Sequence, residues 1–421
     1  MPNVSGSLWK NRDFKLFLTI QTLSSLGDSF SYVALPLLVL HATGSVVQMG
    51  MVTALQGAAS ILTGLFAGVV VDRVDRRLLL LLCDVARGVL YALIPLAWIF
   101  SPQLWVIYTV VPIAGAFAML FRVGYVAMTP SLVERDQITE ANGKLYGSFA
   151  VASVIGPVVA GMVCAAVGPE VAIGVDAASF IVSALGVLLV RTRERAHETE
   201  AEQATELPPT SRRKALLAEF LAGARFLWDH PIMRPLTVLL SVLTFLNYGL
   251  TDLIIYYLKE SLGHSDTTVG YVLAVATIGT MVASSLVARI RRKIGFGATW
   301  IGANVLCGAA IACLGLSASV PVIAALACVM LASTGVGGIS SMSLRQEVTP
   351  DKLLGRVTSA FWTIHSALGP LGAGLLTAAA SAYGVKAVCL LIGIGSLLTA
   401  LYGLRTALWR SAPERPLTEG V

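Results

Sequence analysis

The stretch "GVVVDRVDRR", residues 68–77, sets two acids and three arginines between two long apolar runs. One run reaches back to Val46, and the next begins at Leu78 with "LLLLLCDVARGVLYALIPLAW". Charge is costly in hydrocarbon, so such a knot belongs at the water boundary between two membrane-crossing segments. Its arginines mark the cytoplasmic side. An Asp at a helix end accepts backbone N–H bonds at a neighbouring helix N-terminus, and arginines pair with acids around it.

Composition outside the knot agrees. Of 421 residues, 56% are hydrophobic and 13% charged, about half the charge of a soluble chain. Mean hydropathy is +0.78. Too little polar surface remains to cover a water-soluble globule. The 39 glycines fit transmembrane helices, which carry more Gly than soluble ones.

Apolar runs long enough to cross a bilayer as helices fall near 15–40, 47–71, 78–100, 103–129, 142–167 and 170–190. After a polar stretch, six more fall near 235–257, 267–288, 296–316, 319–343, 355–381 and 385–408. The expectation is an all-α membrane protein of twelve transmembrane helices with both termini cytoplasmic. Nearly all of the 30 basic residues then lie in cytoplasmic segments. Lys259 and Lys386 sit in opposite loops, and Arg87 and Arg122 within spans. The net charge of +6 follows from this topology and does not point to nucleic acid. The first apolar run is too long for a signal-peptide core and is expected to remain as a helix.

Residues 1–190 read as an N-terminal six-helix bundle, 191–234 as a cytoplasmic linker, and 235–421 as a C-terminal six-helix bundle with a short tail. Within the linker, "ETEAEQATELPPTSRRK" is polar and Pro-interrupted, whereas "ALLAEFLAGARFLWDHP" has the periodicity of an amphipathic helix on the inner membrane face. The halves repeat one another. "SLVERDQITEANGKLYGSFAVASVIGPVVAG" ends in Gly156-Pro157-x-x-Ala160-Gly161, and "LRQEVTPDKLLGRVTSAFWTIHSALGPLGAG" in Gly369-Pro370-x-x-Ala373-Gly374. Duplicated membrane halves are a transporter signature.

The string Gly68-x-x-x-Asp72-Arg73-x-Asp75-Arg76-Arg77 resembles the loop motif GxxxDRxGRR of the major facilitator superfamily, with Asp75 where Gly is common. With "LWKNRDFKLFL", "ALPLLVL" and "GPVVAG…VDAASF", the chain is most similar to the efflux branch containing enterobactin exporters and macrolide efflux proteins. That resemblance implies two six-helix pseudo-repeats around a central cavity. It also implies a conformational latch centred on Asp72, with Arg73, Arg76 and Arg77 as partners. The second-half counterpart, "SSLVARIRRKIG", lacks the acid. Gly143, Ala152, Gly156, Pro157, Ala160 and Gly161 resemble the family's antiporter signature with two glycines replaced by alanine, and helix packing explains the same residues.

Charges inside spans face a cavity or a partner. Asp28 in span one, Arg122 in span four and Asp252 in span seven fall on spans that line the cavity in this superfamily. Asp28 is the candidate proton carrier, and Arg122 is expected to pair with it or with an anionic substrate. Asp84 and Arg87, spaced i, i+3, read as a pair on one helix. Asp176 reads as a helix-end contact and His365 as packing.

The function expected is secondary export of small amphipathic molecules (drug, macrolide or siderophore) in exchange for protons, in a bacterial inner membrane. An importer, a lipid mover and a non-transporting sensor or scaffold are the alternatives. No enzymatic motif, nucleotide loop, cofactor or metal spacing is visible, and the six cysteines lie in apolar segments.

Overall fold

The computed structural model describes residues 8–71, 74–134, 137–191, 220–350 and 353–410. Among these the regular structure is helical. In the first half α1 spans Arg12–Thr43, α2 Val46–Val71, α3 Arg76–Phe100, α4 Leu104–Leu132, α5 Ile138–Val167 and α6 Pro169–Leu189. A helix at 220–229, α7, follows. Then come α8 (Met233–Asn247), α9 (Leu250–Tyr256) with a π turn at Tyr257–Ser261, α10 (Asp266–Leu314), α11 (Val320–Val348), α12 (Leu354–Ser366), α13 (Gly369–Tyr383) and α14 (Val385–Tyr402).

Ten described helical stretches are long and apolar enough to cross a membrane. Two breaks separate this number from the twelve expected. The 49-residue α10 contains Gly295 at φ 79° and ψ 173°, a turn within one nominal helix. The stretch predicted as span eleven is divided between α12 and α13. Leu62, Phe66, Phe100, Leu185, Leu189 and Leu375 all stand exposed, a surface that suits lipid and not water.

The repeat is visible in the turns. Gly168 (φ 96°) ends α5 and begins α6, and Gly384 (φ 84°) ends α13 and begins α14. A side chain at either position meets the left-handed penalty, so glycine makes a one-residue turn in both halves.

The chain forms two compact units, one of residues 1–44, 55–206 and 264–270, the other of 45–54, 207–263 and 271–421. In the first, α1 packs on α5 and α6, and α3 on α4 and α6. Phe14, Phe17 and Ile20 of α1 meet Leu80, Met128, Leu132 and Val187 in one apolar cluster. In the second, Met233 and Leu236 of α8 join Trp300, Leu344, Val357 and Phe361. The indole of Trp300 donates to Ser341 at 2.8 Å, so its one polar atom is satisfied.

Helix α7 belongs to this second cluster. Leu227 is buried in it, Phe220 and Ala224 pack against it, and a Cβ at Gly223 would run into the backbone of Arg356. The amphipathic pattern thus has a protein partner for one face, while Leu221 and Trp228 remain exposed.

Candidate functional site

Asp28 lies in the middle of α1 with its side chain 49% exposed. Its partner is Arg87 of α3, whose guanidinium contacts the Asp28 carboxylate while its own side chain is buried. Two glycines explain how three helices meet here. Gly27, beside Asp28, faces Ser179 and Asp176 of α6 so closely that a Cβ would overlap them. Gly88, beside Arg87, likewise faces Ile181 and the carbonyl of Ala177. Each member of the ion pair therefore sits where α6 leans in.

Helix α6 completes the site. The Arg87 guanidinium lies 3.8 Å from the centre of the Phe180 ring, a cation–π arrangement that stabilises a charge removed from water. Ser31 of α1 hydrogen-bonds to Asp176, and Ser179 donates to the same carboxylate at 3.2 Å. Asp176 is fully buried, so these hydroxyls replace the water it lacks. Asp84 is also fully buried, and neither carboxylate oxygen makes a hydrogen bond of ordinary geometry. Ser183 is its polar neighbour, itself receiving Gln21 Nε2 at 3.4 Å.

The sequence-predicted residues divide as follows. Asp28 is brought into a charged cluster. Asp84, Arg87 and Asp176, read as local structural contacts, belong to that same cluster. Arg122 is exposed on α4, and no ion pair among the described residues includes it. The cation at Asp28 is Arg87. Asp252, on α9, is buried and takes a side-chain hydrogen bond from Thr53 of its own unit. The His365 ring stacks on Phe361 with centroids 4.9 Å apart, as packing predicts.

Of the knot, Asp72 and Arg73 lie outside the described residues, and Gly68 is in α2. Asp75 caps α3, accepting the backbone N–H of Leu78 at 2.7 Å. Arg77 reaches α6, where Nε donates to the Val187 carbonyl at 3.0 Å and Nη2 to that of Leu188. The Val187 carbonyl also accepts the Val190 N–H at 3.3 Å, so Arg77 adds a second donor there, bonds the Leu188 carbonyl and complements the dipole of the helix end. In the second half, Arg291 makes a two-pronged pair with Glu347.

The glycine motif of α5 packs closely. A Cβ at Gly156 would overlap Ser29, and one at Gly161 would come 2.8 Å from the Gly270 Cα within the same unit. In the repeat, Gly369 packs against Tyr248 as Gly156 packs against Ser29, and Gly372 lies against the Phe245 carbonyl, whereas Gly374, the counterpart of Gly161, faces open space. Gly143 faces open space, Pro157 lies within α5, and neither carries a polar side chain.

Comparison with known proteins agrees with these features. Two matches to the sequence profile of the Major Facilitator Superfamily cover residues 17–373 and 237–421. The multidrug efflux pump Tap of Mycolicibacterium fortuitum is 27% identical over 392 residues, covering 91% of this chain and 93% of that protein. The enterobactin exporter EntS of Escherichia coli O6:K15:H31 is 26% identical over 425 residues, covering 96% and 94%. Among solved structures, the nucleoside transporter NupG superposes with a TM-score of 0.73 at 12% identity, covering 94% of this chain and 98% of that one. A POT family transporter in complex with 5-aminolevulinic acid gives 0.73 at 11% identity, covering 95% and 97%. The chain is a multi-pass membrane transport protein and not an enzyme, and it belongs to the Major Facilitator Superfamily.

Proposed function

We propose that this protein exports small amphipathic molecules of the drug, macrolide or siderophore class from a bacterial cytoplasm, by alternating access and in exchange for protons. Efflux relatives matching along nearly the whole chain support the direction of transport. The observation that carries the coupling is Asp28, a half-exposed carboxylate in the middle of a spanning helix and held by a buried arginine. A carboxylate so placed exchanges protons with water at its exposed edge and communicates the change to the bundle through Arg87. Asp252 is the second carboxylate of this reading and Arg122 the candidate contact for an anionic cargo. Two six-span halves, 1–190 and 235–421, joined by 191–234, would place both termini in the cytoplasm. The knot around Asp72 would act as a latch on that side.

Reconstituted vesicles with an imposed pH gradient test the coupling, using a labelled panel of drugs, macrolides and siderophores. Asp28→Asn keeps the volume and mimics the protonated form. It is expected to abolish uphill accumulation while downhill exchange persists. Wild-type accumulation by Asp28→Asn protein would refute Asp28 as the coupling site.

A further inference from the structure

The cluster around Arg87 contains more negative groups than one cation can neutralise. Asp28, Asp84 and Asp176 all lie within electrostatic reach of the single guanidinium. Other elements add no second cation among the described residues. From α1 come Gln21 and Ser31, and from α3 Cys83 and Tyr91. From α4 comes the ring of Phe121, and from α6 the hydroxyls of Ser179 and Ser183. The charged pair of α5, Lys144 and Glu140, is joined to itself at 3.2 Å. Carboxylates crowded away from water do not all ionise together, so protons supply the missing positive charge.

Geometry distinguishes the carboxylates. Asp28 holds the arginine, and its side chain is 49% uncovered by protein. Asp176 has two hydroxyl partners. Asp84 has neither solvent nor a completed hydrogen bond, and it stands one helical turn before Arg87 on the same face of α3. To turn to Asp84 the guanidinium has to release the Asp28 carboxylate, which it holds through Nη2, whereas its Nε has no hydrogen bond to give up.

We propose that Asp84 is a second proton-binding site, storing out of water the proton that Asp28 exchanges with solvent. In the arrangement seen here Arg87 pairs with Asp28 and Asp84 is protonated. When the guanidinium turns to Asp84, the proton passes to Asp28. An O–H bond breaks at Asp84 and one forms at Asp28, Arg87 stays charged, and the cluster's net charge is unchanged. Asp28 then releases its proton to water. The role of this exchange in export rests on the proposed coupling at Asp28, but its existence does not.

Infrared spectroscopy of the purified, lipid-reconstituted full chain at neutral pH tests it, with labelled aspartate identifying the protonated carboxyl band. Wild type is expected to show a band that Asp84→Asn removes and Asp176→Asn retains. Asp28→Asn, which frees the arginine, is expected to lose the same band. Asp28→Asn combined with Arg87→Gln is expected to restore it, because no cation then claims Asp84. Monodisperse elution of each variant confirms folding. Absence of an Asp84-dependent band in wild type would overturn the proposal. So would its persistence in Asp28→Asn protein, or its loss in Asp176→Asn in place of Asp84→Asn. The spectra need neither cargo nor gradient, so failure of the export reading leaves this result standing, and the reverse also holds.

Discussion

Arg87 of α3 pairs with Asp28 of α1, although Asp84 stands one turn away on its own helix. The choice ties α3 to α1, with the Phe180 ring of α6 beneath the guanidinium. A lysine at this position would keep the charge but lose the planar face that stacks on the ring. Arg87→Lys is therefore expected to lower stability by about 1–2 kcal/mol, read as a fall in apparent Tm in detergent. Arg87→Lys combined with Phe180→Leu should then cost little more than Phe180→Leu alone.

Arg77 joins the start of α3 to the last turn of α6 through two carbonyls. Removing it takes the side-chain donor from the Leu188 carbonyl, leaves the Val187 carbonyl with the Val190 N–H, and takes a cation from the negative end of a helix. Arg77→Ala is expected to cost about 1–2 kcal/mol. Lysine should recover part of this, since it brings the charge without the fork. Thermal melts of the two variants check the order.

Asp75 stands where the superfamily motif usually has glycine, and here it caps α3. Asp75→Ala is expected to destabilise by about 1 kcal/mol, whereas Asp75→Gly should cost only a few tenths. Equal losses from the two substitutions would show that the cap is not what this side chain contributes.

How far the sequence could be read depended on the range of the interactions. Spans and their turns are written in local patterns, including the repeated glycine–proline motif. The partner of Asp28 is not, because it lies 59 residues away on another helix. Spacing drew attention to Asp84 beside Arg87, and membership of a cavity-lining span drew it to Arg122. Neither signal carries the direction of a long side chain. The signals that were available are Gly27 and Gly88, which mark where α6 approaches both members of the pair. Helix α7 gave the pattern of a surface helix because periodicity does not distinguish lipid from a neighbouring protein face. Gly223, which meets the backbone of Arg356, marks the protein contact.

Gly156 of α5 has no room for a side chain against Ser29 of α1. Gly156→Ala is expected to destabilise the protein by about 1–3 kcal/mol through overpacking. Ser29→Gly in the same chain should restore much of the loss, because it removes the group that clashes. A melt of the double variant no higher than that of Gly156→Ala would place the strain elsewhere.

Gly168 serves at once as the last residue of one helix boundary and the first of the next. A connection this short has no slack, so the rotational phase of α6 is inherited from α5. One extra residue inserted after Gly168 would have to be absorbed by turning α6 through about 100° on its axis. Asp176 and Phe180 would then swing away from Arg87 together, and no side chain would have been altered. Gly384 holds α14 to α13 by the same kind of joint. Length at Gly168 is as much a determinant of the charged cluster as residue identity, and a scan of single-residue insertions would find both turns intolerant.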